Sequence, residues 1–114
     1  MKTPGQIVLF EFPNTNLHDS KLRPALLIAK LPGEFDDWLV CMISSQLQQT
    51  IDGFDEIISA DAPDFSDSGL KKSSVLRISR LAVMHSEIML GSVGKIDTTR
   101  LQKIKTRLSA WINQ

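Results

Sequence analysis

The sequence predicts a mostly β protein in which several short strands form a small, strongly bent sheet or barrel, with one C-terminal helix packed on it. Three observations predict this fold. Short runs of strand-forming residues are separated by turn residues, residues 73–84 alternate as a strand does, and one segment after Asp97 has helical spacing. A chain of 114 residues that is 42% hydrophobic can bury one core, so we expect a single domain over residues 1–114.

The first half of the chain contains three predicted strands. Residues 6–12 are rich in strand formers and are stopped by Pro13 and the Asn-Thr-Asn that follows it. The second strand is predicted over residues 25–29, after Pro24, and the third over residues 38–44. Because the second and third runs are apolar at successive positions, we expect both strands to be buried on both faces.

The second half begins with an acidic segment, residues 52–69, in which we predict one short strand and a long loop. Residues 73–84 form the longest predicted strand, and a further short strand is predicted over residues 88–93. Strict alternation puts two sets of side chains on opposite faces of the longest strand: Leu76, Ile78, Arg80, Ala82 and Met84 against Val75, Arg77, Ser79, Leu81 and Val83. Neither set is purely apolar, which predicts a bend.

The C-terminal segment is the predicted helix. Asp97 can cap the free N–H groups of its first turn, and an apolar stripe recurs at helical spacing. The stripe consists of Leu101, Ile104, Leu108, Trp111 and Ile112. Three basic residues lie away from it and are expected to form a solvated basic face: Arg100, Lys103 and Arg107.

Charge is divided unevenly along a chain whose formal net charge is zero. Residues 1–70 hold 4 basic and 11 acidic residues, a balance of −7, whereas residues 71–114 hold 9 basic and 2 acidic residues, a balance of +7. Such a division predicts either a positive face for a polyanion or a salt-bridged surface. The single cysteine, Cys41, excludes an internal disulfide, and the lack of a signal peptide or apolar span predicts a cytoplasmic protein.

The common enzyme signatures are absent from the sequence. It contains no glycine-rich phosphate loop, no metalloprotease helix motif and no nucleophile elbow, and its only histidines are His18 and His85. We therefore expect no metal and no cofactor. Any reaction would depend on charge stabilisation and proton transfer by Arg, His, Ser or carboxylate side chains, as in a metal-independent ribonuclease.

Five segments, in order, resemble the MazF/PemK/Kid toxins. They are Gly-Gln-Ile-Val at 5–8 with Phe-Pro-Asn at 12–14, Lys-Leu-Arg-Pro-Ala-Leu-Leu-Ile at 21–28, Ile-Ser-Ser-Gln at 43–46, the glycine-to-Ser-Val segment at 69–77, and Leu-Gly-Ser-Val at 90–93. The resemblance covers nearly the whole chain. It implies an SH3-like barrel with a C-terminal helix, usually a homodimer, that cuts single-stranded RNA without metal and is inhibited by a cognate antitoxin.

The resemblance also assigns candidate catalytic residues. Arg23 matches the family's Arg-Pro motif, and a guanidinium fork suits phosphate, although a salt bridge that anchors the loop is the alternative. Ser44 stands where the family generally has a catalytic threonine; a serine that caps the strand end is the alternative. His18 is placed like a histidine used by some members and could transfer a proton, unless it is an exposed loop residue without a role.

Further residues are assigned to RNA binding. Arg77 matches a second arginine of some members, but Ser79 stands where an aspartate is expected, which leaves that alternative acid and base set in doubt. The remaining candidates are Lys21, Ser45 and Gln46. Base stacking is expected from aromatic side chains, for which the candidates are Phe35, Trp38 and Phe65.

A second function stays open at this point. A barrel of the MazF/CcdB type could have lost cleavage and act as a protein-binding or RNA-binding module, and the serines at positions 44 and 79 favour that alternative. We expect the antitoxin to dock as an acidic segment over Lys71, Lys72 and Arg77.

Overall fold

The structure is a computed structural model that describes residues 2–13 and 20–114. In these residues it contains six strands: β1 (Gln6–Pro13), β2 (Ser20–Lys30), β3 (Asp37–Ser44), β4 (Glu56–Ile58), β5 (Ser74–His85) and β6 (Gly91–Lys95). Its helices are a single turn, α1 (Phe65–Ser68), and the long C-terminal helix α2 (Thr98–Ile112). Short 3-10 turns lie at Leu47–Gln49 and Ser86–Ile88. The predicted mostly β fold with a C-terminal helix is confirmed.

The strands form one antiparallel sheet in the order β4-β5-β3-β2-β1-β6. Strand β2 lies between β1 and β3, and its apolar residues alternate between two cores. Leu26 and Ile28 belong to a core that includes Leu101, Ile104 and Leu108 of α2. Ala25 and Leu27 belong to a second core on the other face of the sheet. The predicted burial of this strand on both faces is confirmed, and it gives the sheet one face under the helix and one face without it.

Strand β3 is divided between the same two cores. Cys41 belongs to the core under α2 and Val40 to the core on the opposite side of the sheet, and both are fully buried. Burial raises the pKa of the Cys41 thiol to about 12, as expected of a packing residue and not of a nucleophile. We call the side of the sheet that carries Cys41 and is covered by α2 the helix face, and the side that carries Val40 the open face.

The two edges of the sheet meet through α1. This turn follows edge strand β4 along the chain but packs on β6, the strand at the opposite edge. A β-carbon built on Gly94 would overlap the backbone of Asp67 and Ser68, and one built on Gly69 would overlap the carbonyl of Val93. Gly69 also has φ = +73°, which favours glycine. The sheet is therefore strongly bent, as predicted.

Strand β5 departs from strict alternation. Its pairing with β3 shifts between Arg77, opposite Met42, and Leu81, opposite Cys41, so the faces exchange at this bulge. The predicted grouping of Leu81 with Arg77 on one face is therefore wrong. The Asp55 carboxylate explains the bulge, because it accepts hydrogen bonds from the Ser79 N–H at 2.9 Å and the Ser79 O–H at 3.1 Å.

Other boundaries differ from the predictions at strand ends. Strand β2 begins five residues before the predicted residue 25, because β1 pairs with it as far as Pro13 opposite Ser20. The predicted strand at 88–93 lies at Gly91–Lys95, preceded by a 3-10 turn in which His85 Nδ1 accepts the Glu87 N–H at 3.0 Å. The acidic segment contains the one short strand expected, β4, and in addition the helical turn α1.

The basic residues of α2 are not a solvated face. Arg100 donates to Asp64 at 2.8 Å and to Glu56 at 2.9 Å, and Arg107 donates to Glu56 at 2.9 Å. Both carboxylates are buried, whereas Lys103, which contacts Glu56 at 3.5 Å, is 55% exposed. The acidic segment thus neutralises much of the positive charge of the helix. Many of the unevenly distributed charges of the two halves of the chain therefore pair with each other in an internal salt-bridge network.

Neither helix in the described part of the chain is long and apolar enough to cross a membrane.

We expect Gly94→Ala to destabilise the fold by about 1–3 kcal/mol, because its new methyl group overlaps backbone atoms that cannot move independently. Urea denaturation followed by circular dichroism measures the change. Lys95→Ala, at an exposed position in the same strand, is the control and should change stability by less than about 0.5 kcal/mol. Equal midpoints for the two variants would contradict the close contact between α1 and β6.

The Asp64–Arg100 pair predicts a loss of stability in acid. The hydrogen bond from Arg100 holds the pKa of the Asp64 carboxyl below its usual value of 3.8, so its contribution is present above that pH and disappears as pH falls through the lowered value. The free energy of unfolding should therefore differ most between wild type and Asp64→Asn near pH 7, and the difference should shrink toward pH 2. For Asp67→Asn, an exposed carboxylate nearby, the difference should stay small at every pH.

Candidate active site

Strands β2 and β3 separate at Pro24, and the separation creates a groove. Their pairing begins at Ala25 opposite Met42, so the preceding residues of β2 pair only with β1. Proline has no N–H for a sheet hydrogen bond, and Pro24 lies where β2 has β1 as its only neighbour. The groove has a volume of about 600 Å³. The described residues that line it are Lys21, Leu22, Arg23, Pro24, Ile43, Ser44, Ser45, Gln46, Leu70, Lys71, Lys72 and Ser74.

Arg23 and Ser44 both line this groove, one from each strand. Arg23 is two residues before Ala25 and Ser44 is two residues after Met42, so continuing the register of the two strands sets them opposite each other. Since alternate residues of a strand share a face, both side chains belong to the open face of the sheet, away from α2. The two residues that the sequence ranks first are therefore brought together.

The Arg23 side chain is exposed and lies over an aromatic ring. Its Cζ is 4.8 Å from the centroid of the Phe12 ring, a cation–π contact. Within residues 2–13 and 20–114, no carboxylate lies within salt-bridge distance of Arg23. The anchoring salt bridge that was the alternative role for Arg23 is thus not formed in the described part of the chain.

Ser44 has a structural contact that leaves its proton available. Its Oγ accepts the N–H of Gln46 at 3.0 Å, which caps the end of β3 as the alternative interpretation expected. A hydroxyl that accepts one hydrogen bond still carries an O–H that can donate into the groove. Ser45 also lines the groove, because it follows the last residue of the strand and alternation no longer applies there. The Gln46 amide oxygen accepts from Gln48 at 2.8 Å.

Arg77 lies one row deeper on the open face and is not among the residues that line the groove. It sits opposite Met42 in the sheet, and its Nη1 donates to Gln49 Oε1 at 3.3 Å. Its Nε is buried without a hydrogen-bond partner in the described residues. His18, the third predicted catalytic residue, lies outside the residues that the structure describes.

The groove is positively charged. Four cationic side chains line it: Lys21, Arg23, Lys71 and Lys72. No Asp or Glu occurs among the lining residues that are described. A guanidinium fork and a hydroxyl between flanking lysines suit a phosphodiester, whose two unbridged oxygens accept hydrogen bonds. In the described residues, no group of three or more His, Cys, Asp or Glu could hold a metal ion.

The predicted stacking residues do not lie at the groove. Trp38 is buried and donates its Nε1–H to Asp36 at 2.8 Å, and Phe65 packs against the core under the helix. Phe35 is 65% exposed, but it lies in the loop between β2 and β3, at the other end of both strands from Arg23 and Ser44.

Phe12 is the aromatic side chain that sequence reasoning missed. It is 45% exposed on the same face as Arg23, diagonally across from it in the β1–β2 pair. The pairing of the first two strands, with Phe10 opposite Arg23, was the signal that could have identified it. That register cannot be read from either strand alone.

Comparison with known proteins finds a family match over almost the whole chain. A family model described as "PemK-like, MazF-like toxin of type II toxin-antitoxin system" matches residues 3–112, which include every residue of the groove named above. The resemblance drawn from five short segments is confirmed. No curated protein matches the chain.

Proposed function

The chain belongs to the PemK-like, MazF-like toxin family of type II toxin-antitoxin systems, and we propose that it is an endoribonuclease that cuts single-stranded RNA at short recognition sequences without a metal ion. The observation that carries the proposal is the exposed Arg23, which lines one groove together with Ser44 and three lysines. Antitoxins are the partners of such toxins, so a cognate antitoxin is the expected inhibitor.

The proposed reaction transfers the phosphoryl group of the scissile phosphodiester from the 5′-oxygen of one nucleotide to the 2′-oxygen of the neighbouring ribose. The 2′-oxygen loses its proton and bonds to phosphorus, the bond from phosphorus to the 5′-oxygen breaks, and the 5′-oxygen gains a proton. The products are a 2′,3′-cyclic phosphate and a 5′-hydroxyl. Negative charge grows on the unbridged oxygens as the new bond forms, so a cation at that position lowers the barrier.

Arg23 is the proposed cation. Its exposed guanidinium makes no ion pair in the described residues, and its planar fork suits two phosphate oxygens at once. Lys21, Lys71 and Lys72 would bind the neighbouring phosphates, and Ser45 and Gln46 at the end of β3 would contact the adjoining nucleotides. Arg77, one row deeper, would add positive potential behind the scissile phosphate.

Proton transfer is assigned to Ser44 and His18. The Ser44 O–H would donate to the phosphate or relay a proton to it, since its Oγ already accepts the Gln46 N–H and is held at the groove. His18, which precedes Arg23 in the chain, would take the 2′-OH proton and pass a proton to the leaving 5′-oxygen, since a histidine changes protonation near neutral pH. Homodimer formation and a cytoplasmic location complete the proposal.

The alternative is a non-catalytic toxin that binds a protein or holds RNA. Ser44 in place of the family threonine favours it, as does Ser79, whose hydroxyl and N–H are bound to the buried Asp55 and do not replace the missing aspartate. Growth arrest with intact cellular RNA would support this alternative, whereas arrest with RNA cut at discrete sites would support the nuclease.

We expect Arg23→Ala to lower kcat/KM for cleavage of a long unstructured RNA by about 100- to 1,000-fold, the cost typical of removing one charge-stabilising group. Product ends are mapped with and without EDTA, and the cuts should survive chelation and carry cyclic phosphates. Arg80→Ala, an exposed arginine in the bulge of β5, is the matched control and should cleave like wild type. Unchanged cleavage by Arg23→Ala would exclude the assigned role.

Ser44 and Ser45 offer a second matched pair. Ser44→Ala should reduce kcat by about 10- to 100-fold, because it removes the O–H that faces the phosphate, and Ser44→Thr should retain most activity. Ser45→Ala should change mainly KM. If Ser44→Ala and Ser45→Ala have the same kcat as wild type, the hydroxyl of Ser44 takes no part in the reaction.

A further inference from the structure

Arg23 lies over the ring of Phe12, which packs edge to face against Phe10 of the same strand, β1. Its Cζ lies 4.8 Å from the centroid of the Phe12 ring. The Phe12 ring in turn meets Phe10 edge to face, with centroids 6.2 Å apart and an interplanar angle of 79°. Phe10 is only 7% exposed and belongs to the core of the open face, so the contacts run from the core through Phe12 to Arg23, which lines the groove.

This support differs from an ion pair in what it leaves available. A carboxylate partner would occupy the N–H groups of the guanidinium, which are the groups that must bind phosphate. An aromatic ring attracts the cation through its face and takes none of those hydrogen bonds. The contact thus restricts a long, exposed side chain without using any N–H group of its hydrogen-bonding fork.

Packing does not explain an aromatic residue at position 12. Phe12 is 45% exposed and belongs to neither core, whereas Phe10, two residues earlier on the same face, is buried. A leucine at position 12 would serve an exposed strand position as well. What leucine cannot supply is the negatively charged face of a ring beneath Arg23.

From these contacts we infer that Phe12 is a positioning residue, whose ring holds the Arg23 guanidinium at the groove for a phosphate. The inference rests on the proposed function for its catalytic consequence, but the restriction of Arg23 by Phe12 is a property of the protein without RNA. The two can therefore be tested separately.

The first experiment measures the positioning itself. In the full chain labelled at arginine, NMR reports the ring-current shift of the Arg23 side chain and its order on the picosecond to nanosecond timescale. Phe12→Leu should abolish the ring-current shift and increase the mobility of Arg23. Phe12→Trp should keep the shift and the low mobility of wild type, because tryptophan is the best ring for this contact. Phe35→Leu, an exposed phenylalanine at the far end of the β2–β3 hairpin, is the matched control and should leave Arg23 unchanged. An Arg23 equally mobile in wild type and Phe12→Leu overturns the inference, whatever the protein does to RNA.

The second experiment measures the consequence for cleavage. Phe12→Leu should lower kcat/KM by about three- to tenfold and Phe12→Trp should restore it, with all variants unfolding at the same urea concentration as wild type. In an Arg23→Ala background, Phe12→Leu should have no further effect on the Kd for an RNA that carries a 2′-O-methyl group at the cleavage site. An equal loss of affinity in both backgrounds would overturn the inference, since Phe12 would then stack on a base directly. If wild type cuts no RNA while Phe12 still restricts Arg23, the proposed function fails and the positioning stands.

Discussion

The burial of β2 on both faces is the constraint on which the rest of the structure depends. Leu26 and Ile28 are buried under the helix α2 on the helix face. Ala25 and Leu27 are buried in the core of the open face, which forms because the sheet bends over them. A single sheet satisfies both needs only if one face receives a helix and the other bends on itself. The contact of α1 with β6 holds that bend, and it requires Gly94 because no side chain fits between the two backbones.

The same strand determines where chemistry can take place. A continuous apolar run leaves no room for a charged side chain, so polar residues of β2 must lie where the strand leaves the core. Pro24 marks that point. Beyond it β2 keeps β1 as a neighbour but parts from β3, and the strand ends that would otherwise pair become the two walls of a groove. Arg23 and Ser44 both line this groove because each lies two residues beyond Ala25 and Met42, the last pair of the two strands.

Charge pairing explains how a chain without net charge presents a positive groove. Glu56 and Asp64 are buried against α2 and neutralise Arg100 and Arg107, so these acidic residues are used within the fold. The basic residues of the groove form no such pairs in the part of the chain that is described. Removing two charges from water is costly unless they pair with each other, and the charges of this network pair outside the set of residues that line the groove. Its contribution is to hold the short edge strand β4 against the helix and so to keep the sheet bent.

By itself, the sequence determined what depends on neighbouring residues. The apolar runs of β1, β2 and β3, the capped and striped helix α2 and the five segments that resemble the family are all local patterns. They sufficed for the fold class, the family and the choice of Arg23 and Ser44 as candidates. Arg77 lies on the open face with Arg23 because it comes before the bulge at which β5 exchanges its faces.

Only the tertiary structure decided what joins distant parts of the chain. The bulge depends on Asp55, which binds Ser79 from 24 positions away, and the basic face of α2 is paired by carboxylates 36 to 51 positions before it. The choice of Phe12 over Phe35 as the aromatic neighbour of Arg23 depends on which strands pair and in what register. Periodicity records the face on which a residue lies but not the partner it meets, because that partner is set by how the sheet closes in three dimensions.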